Sequence, residues 1–243
     1  ELFYTNMFKL SVAIITFNEE KKVARCLESV KNIADEIVVV DSFSSDNTEK
    51  ICQGYQVKFI KNIFLGHVEQ KNFALSQTAN EWVLSLDADE VLSEKLQKAI
   101  SNIKMQGTAQ AYSFHRLTNY NGFWVRHCGW YPDEKVRLFN KKTAQWGGDN
   151  PHDIIVLKNN IFAQKIDGDI LHYSYDSISA HIDQTNRFTT IAAKAAFNNR
   201  VRSSWFKILT RPPLKFLRDY FYKGGILDGK YGLIICIINS LSA

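Results

Sequence analysis

The sequence lacks the patterns of several common protein classes. Only four prolines and twelve glycines occur in 243 residues, which leaves little material for a long low-complexity linker. The four cysteines, Cys26, Cys52, Cys128 and Cys236, contain no CxxC pair, so a reducing compartment is expected rather than a disulfide framework. There is no HExxH motif, no GxxxxGK[ST] phosphate loop, and no charged start followed by an apolar run and a cleavage site. These absences argue against a zincin, a P-loop enzyme and a secreted protein.

The basic charge is concentrated near the C-terminal end. The chain has 30 basic and 25 acidic residues, a net charge of +5, and its 45% hydrophobic content is that of a globular protein. Residues 200–230 hold eight basic and two acidic residues, a net +6, so the remainder carries 22 against 23, or −1. A nearly neutral body does not favour nucleic-acid binding, whereas the basic segment suits an anionic surface.

Strand-like apolar runs and helical segments alternate up to residue 106. The predicted strands are 10–16, 36–40, 57–60 and 82–86, and predicted helices cover 19–30, 67–78 and 93–105. A further helix is predicted through Cys52, with Ser44, Ser45 or Asp46 as its N-cap. This alternation predicts an α/β fold with one doubly wound, mostly parallel sheet. Ligands of such sheets bind beyond the carboxyl ends of the strands.

The pattern changes after residue 107. Residues 111–116, 136–140 and 162–173 are predicted strands, and 181–199 a predicted helix. We expect a domain over 7–199, with a nucleotide-binding half at about 7–106 and a mixed or antiparallel acceptor half at about 107–199. Residues 200–243 are expected to form a helical tail. Residues 1–6 precede Met7 and are left out of this prediction, because whether they are native stays open.

Polar residues follow three of the predicted strands, at Thr16-Phe17-Asn18-Glu19, Asp41-Ser42 and Asp87-Ala88-Asp89. The first turn has no glycine, so a bound nucleotide must be held by side chains and a metal rather than by a GxGxxG cradle. Asp87, Asp89 and Glu90 repel one another unless a cation lies among them, and oxygen ligands suit Mg²⁺ or Mn²⁺. The alternative is a solvated acidic turn before the helix that begins near Ser93.

Three ordered motifs resemble family 2 glycosyltransferases of the GT-A fold. They read VAIITFNEEKKVARCLESV, EIVVVDSFSSDNTEKI and KNFALSQTANEWVLSLDADE, and the resemblance covers roughly residues 9–175. It implies that the nucleoside of a nucleotide-sugar contacts Thr16, Asn18, Glu19 and Asp41. It also implies that Asp87 and Asp89 bind the ribose and a metal–diphosphate group.

Three further segments, GWYPDEKVRLFNK, WGGDNPHD and FLRDYFYKGGILDGKYG, are similar to the bacterial lipopolysaccharide core-region subgroup. An inverting transfer needs a carboxylate that accepts the proton of the acceptor hydroxyl. Asp133 is the first candidate, Glu134 the second and Asp153 the third, although Asp133 could simply be a turn residue after Pro132. Arg137 is expected to steady the leaving diphosphate, or else to form an ordinary salt bridge.

His152 has two interpretations, which stay open. It is either a further metal or phosphate ligand or a structural histidine.

The tail interleaves aromatic residues with cations. Trp205, Phe206, Phe216 and Phe221 lie among lysines and arginines, a composition that suits the interface of an anionic membrane. The apolar run near the end, at 231–241, is too short to span a bilayer. The alternative is that both pieces pack on the catalytic domain.

The leading prediction is therefore an inverting, metal-dependent hexosyltransferase. The resemblance implies that glucose is moved from UDP-glucose to a core heptose of lipopolysaccharide or another membrane-linked saccharide, which is expected at the cytoplasmic face of a bacterial membrane. One alternative is a sugar-1-phosphate nucleotidyltransferase, which is expected to carry a glycine-rich first loop with Arg and Lys. The other is a non-catalytic carbohydrate-binding protein that keeps the transferase fold.

Overall fold

The computed structural model describes residues 8–106, 109–150, 152–158 and 160–242. The strands in these ranges are β1 Leu10–Thr16, β2 Glu36–Asp41, β3 Lys58–Lys61, β4 Trp82–Asp87, β5 Glu90–Leu92, β6 Ala111–Tyr120, β7 Phe123–Val125, β8 Asp133–Asn140, β9 Ala144–Asp149, β10 His152–Leu157 and β11 Gln164–Tyr175. The α-helices are α1 Val23–Val30, α2 Thr48–Gln53, α3 His67–Ser76, α4 Glu94–Gln106, α5 Ile178–Asn198, α6 Trp205–Leu217 and α7 Gly229–Leu241. Residues 1–6 lie outside the described residues.

The main sheet has the order β3-β2-β1-β4-β8-β6-β11-β5, with β7 paired to β6. The strands β3, β2, β1 and β4 are parallel neighbours, and β8 joins β4 in the antiparallel sense. β9 and β10 form a separate antiparallel pair. The predicted α/β fold, with a doubly wound parallel region, an added antiparallel part and C-terminal helices, is confirmed. The short strands β5 and β7 and the β9–β10 pair were not predicted.

Helices cover both faces of the parallel strands. On one face Val12 and Ile14 pack in a cluster with Leu27 of α1 and Leu96 of α4. On the other face Ala13 packs in a cluster with Leu75 of α3. Because neighbouring residues of a strand point to opposite faces, burial on both sides requires the unbroken apolar run that β1 carries.

Contacts between residues divide the chain into two compact units. Unit 1 comprises the chain up to Arg116 together with Glu134–His172, and unit 2 comprises Leu117–Asp133 together with the chain from Tyr173 onward. Unit 2 has its own aromatic core around the buried Tyr120, whose hydroxyl lies 3.1 Å from Nδ1 of His181. The domain limits expected from the sequence stay a prediction.

The C-terminal segment consists of α6, a π-helical turn at Arg218–Tyr222, a 3₁₀ turn at Gly225–Asp228 and α7. α7 buries Ile235 and Cys236 in the core of unit 2, whereas α6 buries none of its residues. Among the described residues, no single helix has both the length and the apolar character to cross a membrane. Two helical segments, Trp205–Tyr222 and Gly225–Leu241, are together long and apolar enough, but they are bent by 72° where they meet.

Candidate active site

The ends of β1, β2 and β4 bring the first set of predicted site residues to one edge of the sheet. Thr16 is paired in register with Asp41, and Ile15 with Asp87. Thr16 and Asp41 are buried, at 5% and 0% exposure. The three residues thus lie at the carboxyl ends of adjacent parallel strands, where ligands of such sheets bind.

Hydrogen bonds tie the loop after β1 to the loop after β2. The Asn18 amide side chain accepts a bond from Ser45 N–H at 2.8 Å, and Asn18 N–H donates to Ser44 Oγ at 2.8 Å. Ser44 N–H in turn donates to Oδ2 of Asp41 at 2.8 Å. Asn18 has a φ of +54°, a conformation that asparagine tolerates better than most residues. The predicted nucleoside residues Asn18 and Asp41 are therefore held in one network.

Glu19 belongs to the same pair of loops through its backbone. Its N–H donates to Oγ1 of Thr48 at 2.9 Å, and its carboxylate lies 3.6 Å from the ammonium of Lys22. These contacts fix the position of the first loop at the edge of the sheet.

A group of buried charges lies beside Asp87. Lys71 Nζ, on α3, lies 3.0 Å from Asp87 Oδ1 and 2.8 Å from Asp153 Oδ2. Arg137 Nη2, on β8, lies 2.7 Å from Glu90 Oε1 and 3.4 Å from Asp87 Oδ2. Lys71 and Arg137 are each only 3% exposed. Two cations and three carboxylates are thus neutralised mainly by one another, since buried charges must be paired.

The cations set the protonation of Asp87. Burial by itself raises the pKa of the Asp87 carboxyl, but the charges of Lys71 and Arg137 outweigh it and hold that pKa well below its ordinary value. Burial by itself lowers the pKa of the Arg137 guanidinium. The charges of Glu90 and Asp87 have the larger, opposite effect, so the pKa is raised above its usual value. Asp87 is therefore an anion and Arg137 a cation at any physiological pH.

A pocket of about 480 Å³ opens beside these charges within unit 1. Its lining residues are Lys71, Asp87, Arg116, Glu134, Lys135, Val136, Arg137, Trp146, Asp153, Ile154 and Ile155. The ring of Trp146 lies 4.4 Å from Lys71 Nζ and 5.2 Å from Arg137 Cζ, so its π face is in contact with both cations. Its Nε1–H donates to Ser85 at 3.2 Å, which fixes the ring in the wall of the pocket.

Asp89 has a different partner from Asp87. Its Oδ2 lies 3.2 Å from Nε2 of His172, on β11. Burial raises the pKa of the Asp89 carboxyl, but the interaction with His172 outweighs this, so that pKa is lowered. Within the described ranges, no group of three or more His, Cys, Asp or Glu side chains is arranged to hold a metal ion. The side chain of His152 lies outside the described residues.

Several buried polar atoms at this edge have no hydrogen-bond partner in the described part of the chain. They are Thr16 Oγ1, Asp87 Oδ1, Arg137 Nε and Nη1, and His172 Nδ1. Asp87 Oδ1 has the ammonium of Lys71 nearby as an ion pair, whereas both nitrogens of Arg137 are donors without an acceptor. Buried polar groups normally have partners, so this concentration of unpaired atoms indicates a place where a ligand completes the structure.

The three candidate bases have distinct surroundings. Asp153 lies in the pocket wall with the ammonium of Lys71 at 2.8 Å. Glu134 also lines the pocket, and its Oε1 accepts a hydrogen bond from Ser113 at 2.6 Å. Asp133 is the first residue of β8, belongs to unit 2 and is partly buried.

Sequence reasoning missed Lys71, Trp146 and His172. Lys71 lies 16 residues before Asp87 and 82 before Asp153, so spacing along the chain does not connect them. The neighbouring Asn72 exchanges two hydrogen bonds with the backbone of Trp146, at 2.9 and 3.0 Å, and these contacts between distant residues give no signal in the sequence.

The chain is similar to several known proteins. The family model for glycosyl transferase family 2 matches residues 11–171. An uncharacterized glycosyltransferase of Rickettsia typhi is 36% identical and covers 96% of this chain and 83% of its own. The lipopolysaccharide core biosynthesis glycosyltransferase LpsC of Rhizobium meliloti is 28% identical over 96% of this chain and 88% of its own length. The solved structure of S. aureus TarS aligns with 15% identity and a TM-score of 0.44, over 96% of this chain and 90% of that one.

The family match favours a glycosyltransferase over the nucleotidyltransferase alternative, and it confirms the resemblance seen in the sequence motifs. The chain belongs to glycosyltransferase family 2, and its fold is of the GT-A type.

Proposed function

We propose that the protein transfers a hexose, with inversion at C1, from a uridine diphosphate sugar to a membrane-linked saccharide of the lipopolysaccharide-core type. UDP-glucose is the proposed donor and a core heptose the proposed acceptor. The similarity to a lipopolysaccharide core biosynthesis glycosyltransferase supports the acceptor class.

The buried guanidinium of Arg137 is the observation that carries the donor assignment. Its Nε and Nη1 are unpaired donors within a pocket that also contains the ammonium of Lys71. A guanidinium forms charge-assisted hydrogen bonds with phosphate oxygens, and an oxyanion is the ligand that such donors fit. The diphosphate of the donor would therefore contact Arg137 and Lys71, with its nucleoside against Thr16, Asn18, Glu19 and Asp41.

A divalent metal, Mn²⁺ or Mg²⁺, belongs to this proposal. Asp87 and Asp89 supply carboxylate oxygens, and Mg²⁺-type sites commonly combine one or two carboxylates with the phosphates of the substrate. This donor set fits the group, because the remaining ligands would come from the diphosphate and water. Once bound, the cation would stabilise the negative charge of the leaving diphosphate. His172, next to Asp89, and the predicted His152 are the nitrogen ligands that could join it.

The transfer step needs one proton acceptor. As the acceptor oxygen forms its bond to C1 and the bond from C1 to the diphosphate breaks, the hydroxyl proton passes to a carboxylate. We assign this role to Asp133, with Glu134 and Asp153 as the competing choices. Asp153 is the least suited of the three, since its carboxylate is already paired with the ammonium of Lys71 at 2.8 Å.

The C-terminal segment supports attachment to the cytoplasmic face of an anionic membrane. On α6, Trp205, Phe206 and Leu209 are 80%, 76% and 69% exposed, and Lys207 and Arg211 lie among them. Large apolar side chains next to cations are stable together at an interface between water and anionic lipid.

The direct test is a panel of nucleotide-sugars offered to the full chain with Mn²⁺ or with a chelator. Thermal shift reports binding, because a ligand at about 100 times its Kd stabilises a protein by about 2.7 kcal/mol. Release of UDP, with and without a heptose-containing core saccharide, reports turnover. Stabilisation by UDP-sugars without any turnover would favour the non-catalytic carbohydrate-binding alternative. No response to any nucleotide-sugar would refute the proposal.

A further inference from the structure

A second pair of a buried carboxylate and a histidine lies in unit 2. Asp228 Oδ1 lies 2.7 Å from Nδ1 of His127, in the loop between β7 and β8. Asp228 Oδ2 accepts the backbone N–H of His127 at 2.8 Å and that of Arg126 at 3.2 Å. The side chain of Asp228 is 4% exposed, whereas that of His127 is 35% exposed. A buried carboxylate thus holds a histidine that solvent can reach.

The side chain of Asp228 does not cap the helix that it precedes. It is the N-cap residue of α7, yet its side chain makes no capping hydrogen bond to that helix. Aspartate is favoured at this position because its oxygens normally accept the first free N–H groups of the helix. Here both oxygens accept bonds from the loop at residues 126–127 instead, so the carboxylate is committed to His127.

The rest of the turn also fixes the imidazole. Gly224 has a φ of +68°, and a Cβ on it would lie 3.1 Å from Cδ2 of His127, so the backbone packs closely against the ring. Cys128 adopts a left-handed φ of +60°, and its N–H donates to the carbonyl of Lys223 at 3.1 Å. A non-glycine residue in this conformation is strained and needs such support. The ring is therefore held at one edge and on one face.

The hydrogen bonds determine the tautomer of His127. Because the Asp228 carboxylate accepts the bond at Nδ1, that nitrogen carries the proton, and Nε2 of the neutral ring is an acceptor. Within the described part of the chain the ring has no second hydrogen bond. A ligand of Nε2 on the neutral ring must then be a hydrogen-bond donor, and a sugar hydroxyl meets that requirement.

We propose that His127 accepts a hydrogen bond from a hydroxyl of the saccharide acceptor, and that Asp228 is a positioning residue that fixes the imidazole for this purpose. The loop that carries His127 continues through Trp130 and Tyr131 to Asp133, the proposed base, so both residues belong to one segment. Aromatic side chains in this loop are also the usual surfaces on which sugar rings pack through their apolar faces. This inference rests on the proposed glycosyl transfer.

The first experiment measures the tautomer and needs no activity. In protein with ¹⁵N-labelled histidine, the His127 signal is assigned by its loss in His127→Phe. The wild type is expected to carry the proton on Nδ1, and Asp228→Asn to lose that preference. Addition of a heptose-containing inner-core oligosaccharide is expected to shift the His127 Nε2 signal of the wild type. A proton on Nε2, or a signal that does not move on addition of the saccharide, would overturn the proposal.

The second experiment separates binding of the acceptor from structure. His127→Phe should raise the KM for the core saccharide about 2- to 10-fold, the effect of one hydrogen bond between neutral groups, while the KM for the UDP-sugar is unchanged. The fold should survive, since Asp228 keeps two backbone donors. Asp228→Asn should act in the same sense and add nothing in the His127→Phe background. Asp219→Asn, the matched control, removes another buried carboxylate of unit 2 that pairs with Arg218 and Lys223 instead.

Three results would contradict the roles of His127 and Asp228. They are an unchanged acceptor KM in His127→Phe, fully additive effects of His127→Phe and Asp228→Asn, and an equal rise of the acceptor KM in Asp219→Asn. A wild type that releases no UDP from any UDP-sugar would instead refute the proposed function. The response of the His127 signal to the saccharide would still decide the inference.

Discussion

Replacement of Arg137 by methionine should have separable effects on stability and on donor binding. The variant removes the partner of Glu90, whose side chain is fully buried and whose Oε1 lies 2.7 Å from Arg137 Nη2. Glu90 would keep the N–H of Asp87 at 3.1 Å, but the nearest remaining cation is Arg116 at 3.7 Å. Asp87 itself keeps Lys71. Glu90 is therefore the group that loses its compensation.

The magnitude follows from burial of this pair. Removing one partner of a buried ion pair costs about 3–5 kcal/mol, because it leaves an uncompensated charge in a site of low polarity. For a chain of this length, 1 kcal/mol corresponds to a change in Tm of roughly 2–4 °C, so Arg137→Met should melt roughly 6–20 °C lower. In Arg137→Met/Glu90→Gln the buried charge is gone as well, and at least half of the lost stability should return.

Binding of UDP should not return with stability. Arg137 has two donors for the diphosphate, and a hydrogen bond to a charged group contributes about 1.5–3 kcal/mol, so both variants should bind UDP at least about 10-fold more weakly. Urea unfolding and calorimetric titration with UDP and Mn²⁺ measure the two effects. Arg25→Met, at an exposed site, is the control and should change stability by no more than about 0.5 kcal/mol. Equal stability of the single and double variants would refute the charge argument, and wild-type affinity for UDP in the double variant would refute the role of Arg137.

Three further predictions concern the metal, the base and the membrane. Asp89→Ala should abolish turnover and remove the dependence of UDP binding on Mn²⁺ in calorimetry, and unchanged turnover would exclude Asp89 from the metal site. Asp133→Asn should lower kcat by about 10²–10⁴ while UDP binding persists; loss of activity in Glu134→Gln or Asp153→Asn instead would move the role to that residue. Replacing the exposed Trp205, Phe206 and Leu209 by serine should reduce co-sedimentation with anionic liposomes without changing the Tm, and equal pelleting of both proteins at low salt would contradict the membrane assignment.

The edge of the sheet could be predicted because parallel strands have a strong local pattern. Strands buried on both faces are mostly apolar runs, and β1, β2 and β4 end at Thr16, Asp41 and Asp87. The geometry of a parallel sheet then brings those ends together whatever lies between them in sequence. The predicted helix at 19–30 nevertheless begins only at Val23, because the preceding turn is held by bonds to the second loop, such as Glu19 N–H to Thr48.

The β9–β10 pair could not be predicted from local pattern. β9 reads AQWGGD, and glycine disfavours a strand in isolation. Gly147 is required for a different reason, since a Cβ at that position would lie 2.8 Å from Val156 of β10. The side chain of Val156 occupies the space that a Cβ would take, and this contact is visible only after folding.

The partners of the site charges also depend on tertiary packing. A lysine on a helix is usually taken as solvated, but Lys71 is buried where α3 packs on the sheet and reaches Asp87 and Asp153. Arg137 and Glu90 are 47 residues apart. The sequence indicates which carboxylates gather at the edge, whereas the fold decides which cations neutralise them.

The balance of charge around the pocket supports the proposed cation on physical grounds. The pocket is lined by four cationic side chains and three carboxylates. Glu90, which is paired with Arg137, is a fourth carboxylate. Asp89 is a fifth carboxylate, so the protein charges at this place sum to about −1 before any ligand enters. A diphosphate brings further negative charge into this partly buried region, and desolvation makes uncompensated charge costly there. Arg137 and Lys71 can orient the phosphate oxygens, but their charge is already matched by Asp87, Glu90 and Asp153. A divalent cation at Asp87 and Asp89 would offset the charge that the diphosphate adds, which is why UDP affinity should fall when the metal is chelated even though both basic residues remain.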